Sequence, residues 1–133
     1  AVFRLNRVPC MVTGGNVGTS CWVFAQTILQ SPDVILVGMD CSYPPGTKPE
    51  NTQYYEYLKE IFPEDPAKGL VRIFNPHLEE TWLTDPGYYW YAQIFRQLVK
   101  MAPGRTHNCT EGGILFGEGI EFRGLAETLA SLS

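Results

Sequence analysis

Gly14, Gly15 and Gly18 stand between an apolar run at residues 8–13 and an amphipathic stretch that begins at Val17. Glycine lets the backbone turn tightly and come close to a ligand, and a helix start carries N–H groups that its own turns do not use. This spacing suits a phosphate or a carboxylate. The segment G-G-N-V-G departs from the G-x-G-x-x-G dinucleotide fingerprint and lacks the lysine and spacing of a P-loop, so a plain tight turn accounts for the glycines equally well. Asp40, at the end of an apolar run, and Glu111, before two glycines, are the acids placed to move a proton. Asp40 has a second reading, as a cap on the backbone N–H groups of the loop that follows it. With substrate phosphates, the two carboxylates would suit a magnesium ion. His107 precedes the second glycine turn, where an imidazole can serve as a base near neutral pH; a hydrogen-bonded structural histidine is the commoner use of such a position. His77 lies in a loop, and its distance from His107 in sequence does not suggest a metal pair.

The elements that must position these groups alternate along the chain. Residues 8–13 read as a strand, and residues 17–30 as a helix that buries Trp22, Val23, Ala25, Ile28 and Leu29. The continuous apolar run 34–38 reads as a central strand covered on both faces. The proline-rich segment 40–51 follows as a loop, then a short aromatic helix over 52–62, a strand over 70–74 and a second long connection over 75–84. Asp85 or Thr84 caps a helix that starts at Pro86 and ends before Pro103-Gly104. A fourth strand covers 105–110, a turn 111–113 and a last helix 124–133. Alternation of this kind implies an α/β domain, Rossmann-like, with a mainly parallel sheet flanked by helices. Ligands of open α/β sheets bind at the carboxyl ends of the strands, where the turns 14–19, 38–43 and 108–113 are expected to converge. Tyr88, Tyr89, Trp90 and Tyr91 are too dense for one core-facing stripe, so part of this cluster is expected to line a cleft or an interface, with core packing the simpler account of Tyr88 and Tyr91.

The chain has 133 residues, of which 44% are hydrophobic, enough for one domain with a core. A net charge of −4 with no basic run argues against nucleic acid as a partner. The sequence carries no apolar run long enough to span a bilayer and no signal-peptide pattern, so a cytoplasmic location is expected. The four cysteines, Cys10, Cys21, Cys41 and Cys109, lack C-x-x-C spacing and read as reduced thiols; the sequon at Asn108-Cys109-Thr110 is then a chance match. The chain opens at Ala1 without an initiator methionine or a preceding βα unit, and is expected to be a partial domain, the C-terminal part of a larger catalytic one.

Three segments in this order, G-G-N-V-G-T at 14–19, I-L-V-G-M-D-C-S-Y at 35–43 and N-C-T-E-G-G at 108–113, resemble a known family. It comprises the motility-associated factor (Maf) glycosyltransferase-like proteins and the related 6-hydroxymethylpterin diphosphokinase MptE-like domain. The resemblance covers most of the chain and implies a Rossmann-like transferase. In the glycosyltransferase branch the donor would be a CMP-activated nonulosonic acid and the acceptor a flagellin serine or threonine. Carried over by motif, Gly14, Gly15, Asn16, Gly18 and Thr19 would hold the nucleotide. Asp40, Ser42, Thr110, Glu111 and Gly112 would line the donor and catalytic centre. The pterin branch, which transfers diphosphate from ATP, places acidic residues in the first turn, where this chain has Asn16. Two further alternatives stay open: the diphosphokinase, and a module that holds a nucleotide or sugar without turnover.

Overall fold

The computed structural model describes residues 11 and 13–132. In chain order the elements are helix α1 (Val17–Thr27), strand β1 (Asp33–Leu36), helix α2 (Tyr55–Ile61), strands β2 (Val71–Asn75) and β3 (Glu80–Thr84), helix α3 (Pro86–Met101), strands β4 (Arg105–Asn108) and β5 (Ile120–Phe122), and helix α4 (Leu125–Leu132). Short 3-10 turns occupy Pro49–Asn51 and Pro66–Gly69. The first expected strand, residues 8–13, lies outside the described residues apart from Met11 and Thr13.

Strands β1, β4 and β5 form a parallel sheet in the order β1-β4-β5, so that β4 is its middle strand. Asp33 to Leu36 pair with Arg105 to Asn108, and Thr106 to Asn108 pair with Ile120 to Phe122. Side chains alternate across a strand, which sends Thr106 to one face and His107 and Cys109 to the other. On the first face the Trp22 indole N–H donates to the Thr106 hydroxyl at 3.0 Å, and Trp22 meets Phe95 of α3 edge-on at 5.1 Å. Around this contact the core gathers Val23, Leu36, Ala92, Val99, Ile114 and Leu115. On the second face the Cys109 thiol donates to the Thr128 hydroxyl of α4 at 3.2 Å. Helices therefore flank both faces of a mixed α/β fold.

Local chemistry sets the helix limits. Asn16 caps α1, its side-chain oxygen accepting from the Thr19 N–H at 2.9 Å. The helix ends at Thr27 rather than at residue 30, because the chain passes through a left-handed Gln30 (φ 52°) and the Ser31 N–H returns to the Ala25 carbonyl. Ile28 and Leu29, expected in the core, are 60% and 62% exposed for that reason. Helix α3 starts and ends as its sequence indicates, with Asp85 accepting from the Tyr88 N–H at 2.8 Å and Pro86 in the first position.

One expectation about strands is corrected. Residues 75–84 are not a plain connection: Glu80–Thr84 is a strand, and it pairs antiparallel with β2 in a separate two-stranded sheet. The β-favouring Thr81, Trp82 and Thr84 support it, and the chain reverses between the strands through a left-handed Glu79 (φ 54°). Strand β1 stands at one end of the sheet formed by the described strands, and Val37 is 64% exposed. The three-residue β5 is too short for a periodic pattern to reveal.

A row of polar contacts links the three parallel strands on the α4 face. Arg105 binds Asp33 through two bonds of 2.7 and 2.8 Å, His107 Nε2 lies 2.7 Å from the same carboxylate, and His107 Nδ1 lies 3.3 Å from Glu121, which also holds Arg123 at 3.1 Å. The Arg105 guanidinium, with His107 behind it, holds the Asp33 carboxyl at about 2, below its ordinary 3.8. A carboxyl with a lowered folded pKa stabilises the fold above its ordinary value and stops doing so as pH falls through the folded one. Asp33→Asn is accordingly expected to lower the melting temperature at neutral pH, with the difference from the parent closing as pH falls from about 4 to about 2. A deficit that persists at pH 2 would assign the effect to shape rather than charge.

Candidate functional site

Parallel pairing brings the carboxyl ends of β1 and β4 side by side, and the two turns that follow are stitched to each other. The Met39 N–H donates to the Thr110 hydroxyl at 3.2 Å, and the Ile114 N–H donates to the Asp40 carbonyl at 2.9 Å. Gly113 (φ 80°) lies against Asp40 so closely that a Cβ there would overlap the Asp40 backbone. Two fully buried asparagines hold the second turn in place. Asn108 accepts from the Thr110 N–H at 3.0 Å and donates to the Leu115 carbonyl at 2.7 Å, while Asn75 of β2 donates to the Gly113 carbonyl at 2.8 Å.

The glycine turn before α1 closes on the same place. A Cβ at Gly15 (φ 84°) would stand 2.7 Å from the Trp90 ring and 3.1 Å from the Tyr91 ring, and one at Gly18 would stand 2.9 Å from the Met39 sulfur. These absent side chains let α1 start against both α3 and the loop after β1. Between the three lies a cleft of about 520 Å³, lined by Asn16 and Gly18, by Met39, Asp40 and Ser42, by Tyr88 and Tyr91, and floored by Trp22 and Leu36. At its α1 end the Val17 and Gly18 N–H groups take no partner among the described residues, because the Asn16 cap serves Thr19. The Asp40 side chain makes no ion pair among the described residues, and burial raises its carboxyl above the ordinary value.

The predicted site residues divide into lining and supporting groups. Gly18, Asn16, Asp40 and Ser42 line the cleft, although Asn16 spends its side chain on the helix cap. Thr19 is fully buried beneath Gly14 (φ 64°), and Thr110 holds Met39. Gly112 is buried, and a Cβ there would stand 2.9 Å from both the Trp82 ring and the Asp40 carboxylate. Glu111 is exposed and leans towards Gly124, outside the cleft lining. His107 lies between the Asp33 and Glu121 carboxylates on the α4 face of the sheet, not in the cleft.

No family model, curated protein or solved structure matches the chain. Its chemistry is therefore read from the cleft itself. Among the described residues no three His, Cys, Asp or Glu side chains converge as a metal site, and no helix is long and apolar enough to cross a membrane. A magnesium ion in the cleft would find one protein carboxylate, Asp40, and would depend on phosphate oxygens of a bound ligand for the rest of its shell. Part of the aromatic cluster is expected to line a cleft or an interface, with core packing the simpler account of Tyr88 and Tyr91; both stand in the cleft wall, as does Met39, whose sulfur seats Gly18 and for which no role was expected. The i, i+3 spacing of the tyrosines was the available signal, because it puts both on one helix face.

Glu111 holds a left-handed conformation (φ 58°) next to two glycines that would adopt it freely. Such a conformation costs a residue with a Cβ about 1 kcal/mol. Glu111→Gly is expected to raise unfolding stability by up to about 1 kcal/mol in urea titration. A loss of stability would instead make the Glu111 side chain a support of the turn.

Proposed function

We propose that the cleft holds the nucleotide of an activated donor and that the domain is the donor-binding part of a glycosyltransferase of the Maf-like type. The donor in this reading is a CMP-activated nonulosonic acid, and the acceptor is a hydroxyl such as a flagellin serine or threonine. The single observation that supports it is the meeting, in one cleft, of α1 N–H groups and an Asp40 carboxyl that take no helix partner and no ion pair among the described residues, together with the Ser42 hydroxyl.

In this mechanism the Val17 and Gly18 N–H groups and the positive end of α1 bind the donor phosphate and stabilise the negative charge that grows on it as CMP departs. The acceptor oxygen forms a bond to the anomeric carbon. The bond from that carbon to the phosphate oxygen breaks, and its electron pair leaves with CMP. Asp40, made more basic by partial burial, takes the acceptor proton. Ser42, whose hydroxyl donates to the Asp40 carbonyl at 3.2 Å, offers its oxygen to hydroxyls of the donor. The single carboxylate of the lining fits a donor with one phosphate better than ATP, whose transfer calls for magnesium held at several oxygens.

A thermal-shift series with CMP and ATP, each with and without magnesium, tests the reading. Stabilisation by CMP without magnesium is expected. A shift with ATP that requires magnesium would support the diphosphokinase in its place, and no shift with either nucleotide would overturn the nucleotide site. Asp40→Asn is expected to keep CMP binding and to slow CMP release from the activated sugar by about 10²–10⁴-fold. The same variant should melt higher than the parent at neutral pH, because a carboxyl whose folded pKa is raised burdens the fold once it ionises. That advantage should vanish in acid, where the parent's Asp40 is protonated in both states.

A further inference from the structure

The geometry points to Tyr88 and Tyr91 as a clamp for a heteroaromatic base, an inference that rests on the nucleotide reading of the cleft and names the part of the ligand that sets its specificity. The two residues stand at i and i+3 on the first turns of α3, and both line the cleft. Each ring is held from behind by another aromatic. Tyr43 meets Tyr88 with ring centres 5.4 Å apart, and Trp90 meets Tyr91 at 5.5 Å. A wall fixed in this way loses little side-chain freedom when a base stacks on it.

The rest of the cleft matches a base at this wall. Leu36, Val34 and Met39 supply an apolar floor, so the base edge is the part left for polar recognition. Burial raises the Tyr88 hydroxyl above its ordinary value, which keeps it protonated and able to donate to a ring nitrogen or carbonyl. The absence of a side chain at Gly15 brings the Tyr91 ring beside the glycine turn, so base wall and phosphate end adjoin as they do in one nucleotide.

Calorimetric titration with CMP and with ribose 5-phosphate, on the full chain and on Tyr88→Ala, Tyr91→Ala and the two Phe variants, tests the clamp. CMP should bind the parent about tenfold or more tightly than ribose 5-phosphate. Each Ala variant should lose most of that advantage with ribose 5-phosphate affinity unchanged, and Tyr91→Phe should retain it. The Phe variants keep the ring and so check that any loss reports stacking rather than misfolding. Equal affinity of the parent for the two ligands, or equal weakening of both in the Ala variants, would overturn the clamp while leaving the phosphate site intact. Failure of the parent to bind either ligand would overturn the nucleotide reading and the clamp with it.

Discussion

The contact between Gly113 and the backbone of Asp40 is the constraint on which the rest of the site depends. No residue with a Cβ fits there, and the contact exists only because β1 and β4 are parallel neighbours whose carboxyl ends point the same way. Once the two turns touch, their backbone groups leave water and must find partners. The Asp40 carbonyl takes the Ile114 N–H, the Met39 N–H takes Thr110, and the Gly113 carbonyl takes the Asn75 amide. Asn75 belongs to the separate β2–β3 sheet, so the same accounting that closes the turns also anchors the hairpin to the parallel sheet. The cleft inherits a wall whose backbone is fixed from three directions.

The two faces of the sheet are put to different uses. The α4 face carries a row of polar groups, in which Arg105 pairs with Asp33, Arg123 pairs with Glu121, and the His107 ring lies between the two carboxylates. The α1–α3 face buries apolar groups and ends, at the carboxyl edge, in a carboxylate with no such neighbour among the described residues. Among the described residues Asp40 therefore differs from Asp33, whose carboxylate is held by Arg105 and His107. Left-handed residues with side chains follow the same division in part. Cys41 and Glu111, at φ 52° and 58°, flank the stitched turns, where the close approach of two backbones dictates dihedral angles that local preference would avoid.

The limits of α3 and the turn positions were legible because single residues set them. Asp85 with Pro86 opens α3, Pro103-Gly104 follows its end, and the glycines at 14, 15 and 113 mark the places where chains touch. Pairing was much less legible. Nothing in E-T-W-L-T states that it joins V-R-I-F-N rather than a parallel neighbour, and a three-residue strand such as β5 exists only through its bonds to β4. Two of the three expected turns line the cleft, and the third is bonded to one of them from behind. Side-chain direction was the missing quantity. Glu111 and His107 adjoin the right turn in sequence, yet one points out to solvent and the other to the far face of the sheet. The alternation of strand side chains after Thr106 carries that information for His107, and the left-handed backbone at Glu111 hides it.

Asp85 joins the two walls of the cleft. Its fully buried carboxylate caps α3 through the Tyr88 N–H and accepts the Tyr43 hydroxyl at 2.7 Å, and that hydroxyl in turn accepts the Gln53 N–H at 2.8 Å. Burial and the adjacent carboxylate push the Tyr43 hydroxyl up, so it stays a donor. Thr84, next in the chain, donates to the Cys41 carbonyl at 2.9 Å. The loop after β1 and the first turn of α3 therefore share one hydrogen-bonded centre, and the Asp40 wall cannot shift without disturbing the start of the helix that carries Tyr88 and Tyr91. A cleft formed by loops alone would leave such rings free to choose their rotamers. Here the loop that presents the acid also supplies the ring, Tyr43, that backs Tyr88.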